Sequence, residues 1–327
     1  MEQPWLAHYE RSVPAHIDYP AVPLHNLLEE SARDFPDRPA VSLLLRYLGP
    51  VRFGGRLTYR QLLPEVDRFA AALYAIGVRK GDRIALLLPN LPQFVIAFYG
   101  AARLGAVIVN NNPTYTAAEL EHQFSDTGAE TVILVSSLYA RFKEFHAHTA
   151  IKRIIVTDIA DYVPSPMKML VENNLRRDGL MVDVPEVSGV YHWHRLLNAH
   201  PERPHRVDVR PDDPILLQFT GGTTGVPKAA VLTHRNVVAN TIQSSYWLAK
   251  VERGHEQFLG AIPFFHVYGM TIAMSLSVYA AGELLIVPDP RQLDMVMRVI
   301  QREHVTVFPG VPAMYIGIIN HPRVAKY

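Results

Sequence analysis

Between residues 58 and 157 two apolar rhythms alternate, and that alternation restricts the chain to few architectures. Leu62, Val66, Phe69, Ala70, Leu73 and Tyr74 recur at helical spacing behind Thr58-Tyr59-Arg60-Gln61, a capping-box pattern, until Gly77 supplies a stop. Short apolar runs at 83–88, 106–110, 131–135 and 153–157 read as strands. Between them lie a largely buried helix over 91–104 ending at Gly105, a helix opened by the box Thr116-Ala117-Ala118-Glu119 and stopped near Gly128, and one more helix. Strand–helix–strand units with apolar strands imply parallel sheets covered by helices on both faces, so the fold class is α/β. On such sheets ligands bind beyond the carboxyl ends of the strands.

Residues 158–210 break the rhythm with scattered prolines, polar links and a short helical piece around 167–177. The alternation then resumes: a strand over 215–219, a helix after Thr233, a strand over 258–262, a helix over about 269–281, a strand over 284–287, an amphipathic helix over about 291–303, a strand over 305–308 and a helix from Pro312. With 327 residues, 49% of them hydrophobic and 19% charged, the chain can bury a sizeable core as one large domain or two intimate lobes.

At the end of the 215–219 strand the chain reads Gln218-Phe219-Thr220-Gly221-Gly222-Thr223-Thr224-Gly225-Val226-Pro227-Lys228, followed by Leu232-Thr233-His234-Arg235-Asn236. Gly221, Gly222 and Gly225 let the backbone turn tightly and aim its N–H groups at an anion. Thr220, Thr223 and Thr224 add hydroxyls, and Lys228 adds positive charge. The layout is a phosphate cradle. It is not a Walker A loop: Lys228 follows Pro227 rather than glycine, and Ala229 stands where a magnesium-binding hydroxyl belongs.

Two further segments sit at strand ends. Pro263-Phe264-Phe265-His266-Val267-Tyr268-Gly269 joins a strand to an apolar helix, where His266 is either satisfied by backbone in a buried turn or aimed into a pocket. Phe264, Phe265 and Tyr268 read as core or pocket wall. Val307-Phe308-Pro309-Gly310-Val311-Pro312-Ala313-Met314-Tyr315 turns a strand into a helix, with Gly310 permitting close backbone approach and Val311 and Met314 offering apolar surface.

Together with Leu57-Thr58-Tyr59, the link 77–83, Asn90, and Gly105 through Asn112-Pro113, these segments resemble, in order, the signatures of the adenylate-forming superfamily. The resemblance is strongest to bacterial long-chain fatty acid–CoA ligases and covers nearly the whole chain from about residue 24. It implies the large N-terminal domain of that fold, with parallel sheets flanked by helices in two αβαβα-type lobes, one about 58–228 and the other about 24–57 plus 229–327. It implies ATP, Mg²⁺ and coenzyme A as cofactors and co-substrates, and a fatty acid as substrate. A carboxylate attacks the α-phosphate of ATP, and coenzyme A then displaces AMP from the acyl-adenylate. Thr220, Gly221, Gly222, Thr223, Thr224, Gly225 and Lys228 would hold the phosphates, Thr223 would stand nearest the metal, and Lys228 and His266 would act in catalysis. His266, Tyr268, Gly310, Val311 and Met314 would border the acid.

The sequence departs from the family where Gly221 replaces a serine common in relatives and where Ala229 replaces a glycine that commonly follows the lysine. The resemblance also places the adenine-binding element, a Tyr-Gly-x-Thr-Glu segment supplying a magnesium ligand, the ribose-binding aspartate, the hinge and the C-terminal domain beyond Tyr327. On that reading the 327 residues are the larger part of an N-terminal domain and by themselves bind nucleotide weakly at most. Two other readings share the loop: an adenylation domain serving a carrier protein with an aryl or amino acid, and a non-catalytic nucleotide-binding module.

Composition narrows the partners. The chain has no cysteine, so disulfides, thiolate metal sites and a protein thiol nucleophile are excluded, and any reacting thiol arrives on a substrate. Its 32 basic and 31 acidic residues leave a net charge of +1 without a long basic run, which gives no footprint for nucleic acid. The N-terminus carries no secretory pattern, and the longest apolar stretches fall short of the about 20 residues a spanning helix requires, so a cytoplasmic protein is expected. Two readings fit 158–210. One is a flap or peripheral membrane contact using Met167, Met169, Leu170 and Val171 beside Lys168, Arg176 and Arg177. The other is a surface insertion with one amphipathic helix packed on the body. Oligomeric state and acyl chain length are not encoded in any of these motifs.

Overall fold

The computed structural model describes residues 4–200, 205–220, 227–248 and 250–327. Its strands are β1 (Pro39–Leu48), β2 (Val51–Thr58), β3 (Arg83–Leu87), β4 (Val107–Asn110), β5 (Thr131–Val135), β6 (Arg153–Thr157), β7 (Val190–His192), β8 (Pro214–Thr220), β9 (Lys228–Thr233), β10 (Gln257–Gly260) and β11 (Glu283–Ile286). They form two sheets, one ordered β10-β11-β1-β2 and one ordered β7-β6-β5-β3-β4-β8-β9. All pairings are parallel except the β1–β2 and β8–β9 hairpins, each at a sheet edge.

Each strand sends alternate side chains to opposite faces, so each sheet has two apolar surfaces to cover. Ile84, Leu86, Ile133 and Ile155 face inward to a central core shared with Val41, Leu43, Phe258, Leu284 and Ile286 of the other sheet. The intervening Ala85, Leu87, Val132, Leu134, Ile154 and Val156 face outward, beneath Leu120, Phe124, Phe142 and Phe145 of the helices Ala117–Thr127 and Tyr139–Phe145. On the far side Leu44, Leu259, Leu285 and Val287 lie under Val296 and Val299 of the helix Leu293–Arg302. The layers therefore run helix, seven-stranded sheet, helices, four-stranded sheet, helix.

The middle layer is built on the helix Pro92–Leu104, in which every residue except Arg103 is buried. A helix apolar all round needs covering on every side, and two facing sheets provide it. Gly100 lets the helix Tyr59–Ala75 come close, since a Cβ there would stand 2.8 Å from the Phe69 ring and 3.1 Å from the Val66 carbonyl.

Local signals fall where the sequence places them. Both capping boxes form: the Thr58 N–H donates to Gln61 Oε1 at 2.9 Å, and the Thr116 N–H to Glu119 Oε2 at 2.8 Å. Gly77, Gly105 and Gly128 adopt φ of 94°, 72° and 60°, the left-handed backbone that ends a helix. Three expectations are corrected. Residues 158–210 do not break the alternation, because β7 and the helix Trp193–Asn198 add another unit at the sheet edge; β7 is three residues long and its apolar signal too brief to read. The expected strand over 305–308 reduces to one bridge, Phe258 to Val307, because the chain turns at Pro309-Gly310. The expected helix over 269–281 begins as a π-helix, Gly269–Ser275, before the α-helix Leu276–Tyr279.

The helix Met167–Arg177 forms and seats Val171 in the core, with Met167 half-buried, while Met169 and Leu170 are exposed. Its four apolar residues therefore do not share one free face. Among the described residues no helix is long and apolar enough to cross a membrane.

Phe69 stacks on Trp193 with centroids 4.7 Å apart and planes 23° apart, both rings essentially sealed from solvent. Phe69→Ala is expected to destabilise the fold by about 3–5 kcal/mol, the cost of a large core cavity, read as a lowered urea midpoint at unchanged slope.

Candidate functional site

β8 leaves the interior of its sheet and pairs antiparallel with β9 in a register that sets Thr220 opposite Lys228. The Thr220 hydroxyl donates to the Lys228 carbonyl at 3.2 Å, which closes the hairpin at its mouth. Gly221, Gly222, Thr223, Thr224 and Gly225 lie outside the described residues; Thr220 and Lys228 are both exposed where the loop begins and ends. Thr220 thus ends β8 at its carboxyl edge, where a parallel sheet receives ligands. Beside Thr220 and Pro227 opens a cavity of about 340 Å³ lined also by Phe219, Tyr115, His122 and Gln123.

After β9 the chain enters the helix His234–Trp247 through a third box, in which the Asn236 N–H donates to Thr233 Oγ1 at 3.2 Å and the Thr233 N–H to Asn236 Oδ1 at 2.9 Å. His234 is fully buried against His25, their rings 6.4 Å apart and edge to face. Its Nδ1 accepts the Leu24 N–H at 3.1 Å, which anchors the chain before the first long helix to the end of the hairpin.

The segment after β10 arrives at the same place from the other sheet. Asn90, just beyond β3 and 4% exposed, donates through Nδ2 to the carbonyls of Gly260 at 3.2 Å and Ile262 at 2.7 Å. Its Oδ1 accepts the Phe264 N–H at 2.8 Å. Gln218, two residues before Thr220, donates to the Phe265 carbonyl at 3.3 Å, and Asn110 at the end of β4 donates to Gln218 Oε1 at 3.4 Å. Phe264 is core, its ring 5.8 Å from Phe94, so the backbone on either side is pinned.

That pinning leaves His266, Val267 and Tyr268 exposed at the turn. His266 Nδ1 accepts the Tyr268 N–H at 3.2 Å, so in the neutral ring Nε2 carries the proton. A Cβ on Gly269 would fall 2.1 Å from the Pro263 carbonyl, and only glycine lets the turn double back into the π-helix. Tyr268 Oη reaches the Gly310 carbonyl at 3.4 Å, joining this turn to the one at 309–311. Val311 is exposed, while Met314 is half-buried on the third core cluster.

The structure therefore gathers His266, Tyr268 and Gly310, and ties their turn to the strand that carries Thr220. No hydrogen bond or ion pair among the described residues joins Lys228 to His266. Asn90 was legible in the sequence only as a resemblance, and Gln218 only as part of a motif. The physical signal for both is a polar side chain inside an apolar run, which must find partners when buried.

A family model described as AMP-binding enzyme matches residues 28–327. A long-chain-fatty-acid–CoA ligase of Bacillus subtilis (strain 168) is 33% identical over 330 residues, covering 100% of this chain and 57% of the relative. Among solved structures, an anthranilate CoA ligase in complex with anthranoyl-AMP superposes with a TM-score of 0.77 at 18% identity, over 94% of this chain and 53% of that one. A long-chain-fatty-acid–CoA ligase from Archaeoglobus fulgidus gives 0.75 at 23% identity, over 95% and 56%. The chain spans a little over half the length of the relatives it matches.

Burial is the main cause holding both His25 and His234 down to a pKa of about 4; for His25, Glu29 opposes and Arg103 assists, and for His234, nearby His25 and Lys80 assist and Asp213 opposes. The folded chain thus keeps them neutral at a pH where unfolded histidine, at its ordinary 6.5, already takes up protons. Their contribution is complete above pH about 6.5 and lost as pH falls toward 4, by on the order of 3 kcal/mol each at most. A urea-midpoint series from pH 7 to 4.5 should fall, and His234→Gln should make the fall shallower.

Proposed function

The chain belongs to the family of AMP-binding enzymes, and on that premise we propose that the intact protein activates a long-chain fatty acid with ATP and passes the acyl group to coenzyme A. The observation that carries the proposal is the β8–β9 register, which holds Thr220 against Lys228 at a strand's carboxyl end and closes a Gly- and Thr-rich loop between them. The acid's carboxylate oxygen bonds to the α-phosphorus as the bond to the β-phosphate oxygen breaks, and pyrophosphate leaves. The coenzyme A sulfur then bonds to the acyl carbon, AMP departs, and the thiol proton passes to solvent.

No protein nucleophile takes part, so the protein's share is positioning and charge stabilisation. In this proposal the hydroxyls of Thr220, Thr223 and Thr224, the N–H groups of Gly221, Gly222 and Gly225, and the Lys228 ammonium hold the β- and γ-phosphates. Magnesium, when bound, neutralises charge on the departing pyrophosphate. The triphosphate and Thr223 are assigned to hold it in this proposal.

His266 Nε2–H, left free by the bond at Nδ1, is the donor assigned to the carboxylate. Tyr268, Gly310, Val311 and Met314 are assigned to the wall beside the acyl chain. The residues 58–228 form one lobe in this reading, and 24–57 with 229–327 the other. The fatty acid as substrate is supported by the long-chain-fatty-acid–CoA ligase name of the Bacillus subtilis relative.

ATP–pyrophosphate exchange by the intact protein, run with fatty acids of graded length, an aryl acid and amino acids, tests the reading. Exchange is expected with long fatty acids; exchange confined to amino or aryl acids transfers the site to carrier-protein chemistry, and exchange with none overturns catalysis. Lys228→Ala should lower the exchange rate by roughly 100- to 1,000-fold, the usual effect of removing one charge-stabilising donor. Its thermal midpoint should not move, because Lys228 is exposed at the edge of the sheet.

A further inference from the structure

Two buried or half-buried amide side chains cross from the seven-stranded sheet to the backbone of the other sheet's loop, Asn90 from just beyond β3 and Gln218 from within β8 near its carboxyl end. Asn90 engages three alternate residues, through the carbonyls of Gly260 and Ile262 and the N–H of Phe264, using both ends of its amide. Gln218 engages the carbonyl of Phe265, the residue after Phe264, from within the strand that ends at Thr220, and is itself met by Asn110. Beyond Gly260, whose carbonyl also accepts the Val287 N–H at 3.2 Å, the backbone of 261–265 turns outside any helix or strand, so at Ile262, Phe264 and Phe265 these side chains supply partners that secondary structure does not. His266 follows directly.

We infer that Asn90 and Gln218 are positioning residues that set the 261–268 turn against the Thr220–Lys228 hairpin, and through it set the registry of acid and triphosphate. The inference rests on the activity proposed above. The amide is required at position 90: a carboxylate of the same shape would face two carbonyl oxygens with no proton to offer, and alanine would leave the Ile262 carbonyl and the Phe264 N–H without the partner they have here. At position 218 the amide bridges Asn110 and Phe265, so its loss frees the turn from the phosphate strand without touching the hairpin register, which is made by backbone. Neither residue reaches the reacting atoms in this arrangement. Both act through where His266 is held.

The test uses the intact protein and exchange with a long fatty acid. Wild-type exchange with that acid establishes the underlying activity; its absence would sink the proposed function and is read before any variant. With wild type active, Asn90→Asp and Gln218→Ala should each lower kcat by about 10- to 100-fold, the scale of a misplacement near 1 Å, while KM for ATP stays within about threefold. The same two changes made in a His266→Ala background should each cost less than about threefold, because the group they position is gone. Unaltered exchange in both single variants overturns the inference. So does an equal loss in the presence and absence of His266, which is what general destabilisation produces. Asn90→Asp is assayed beside its circular-dichroism melt, and if it does not fold, Gln218→Ala on the half-buried side chain carries the same comparison alone.

Discussion

The packing of one almost fully buried helix between two sheets is the constraint on which the rest of the molecule depends. Pro92–Leu104 shows only Arg103 to solvent, and a pair of sheets with facing inner surfaces covers the rest. Because the strands around it are parallel, their carboxyl ends point the same way, and the loops that leave them converge. Gln218 near the end of β8, the turn that carries His266, and Asn90 meet at that convergence. Sealing the helix and assembling the site are one geometric event.

The two antiparallel hairpins show how the ends of each sheet are managed. β2 folds back on β1, and β9 folds back on β8, so neither sheet closes with a parallel edge strand on that side. At β9 the reversal also does chemistry's groundwork, since it returns the chain past Thr220 and sets Lys228 beside it. A helix following β8 directly, as in a Walker A loop, would have aimed a helix N-terminus at the phosphates. Here β8 and β9, an antiparallel pair, flank the segment instead, so the proposed anion binding calls on backbone N–H groups, hydroxyls and lysine rather than on a helix N-terminus.

Three buried or half-buried polar side chains hold the chain where it passes between the sheets. Asn90, Gln218 and His234 each hold a backbone segment that has no regular partner. An unpaired polar group in such a place costs about 1–3 kcal/mol, so these contacts specify one arrangement of loops rather than merely adding stability. His234 carries the added condition of neutrality, because a proton on it would be buried beside His25.

Local order was legible in the residues: the boxes at Thr58 and Thr116, the stops at Gly77, Gly105 and Gly128, and the strand runs from 83 to 157 were all set by spacing and by backbone chemistry that needs no distant partner. The α/β class followed, and so did the site loop's place at a strand end. That residues 39–48 pair with residues 283–286 in a second sheet could be expected only from the resemblance, which grouped 24–57 with 229–327, since pairing such as Val41 with Leu284 leaves no periodic trace in the residues themselves. Tertiary structure alone decided that three-residue β7 would count as a strand, that the 305–308 run would shrink to one bridge, and that the helix at 269 would widen to π spacing. Above all it chose the partners of Asn90 and Gln218, because hydrogen bonds from side chain to a remote backbone depend on where two folded sheets come to rest, and no local rule in the chain contains that distance.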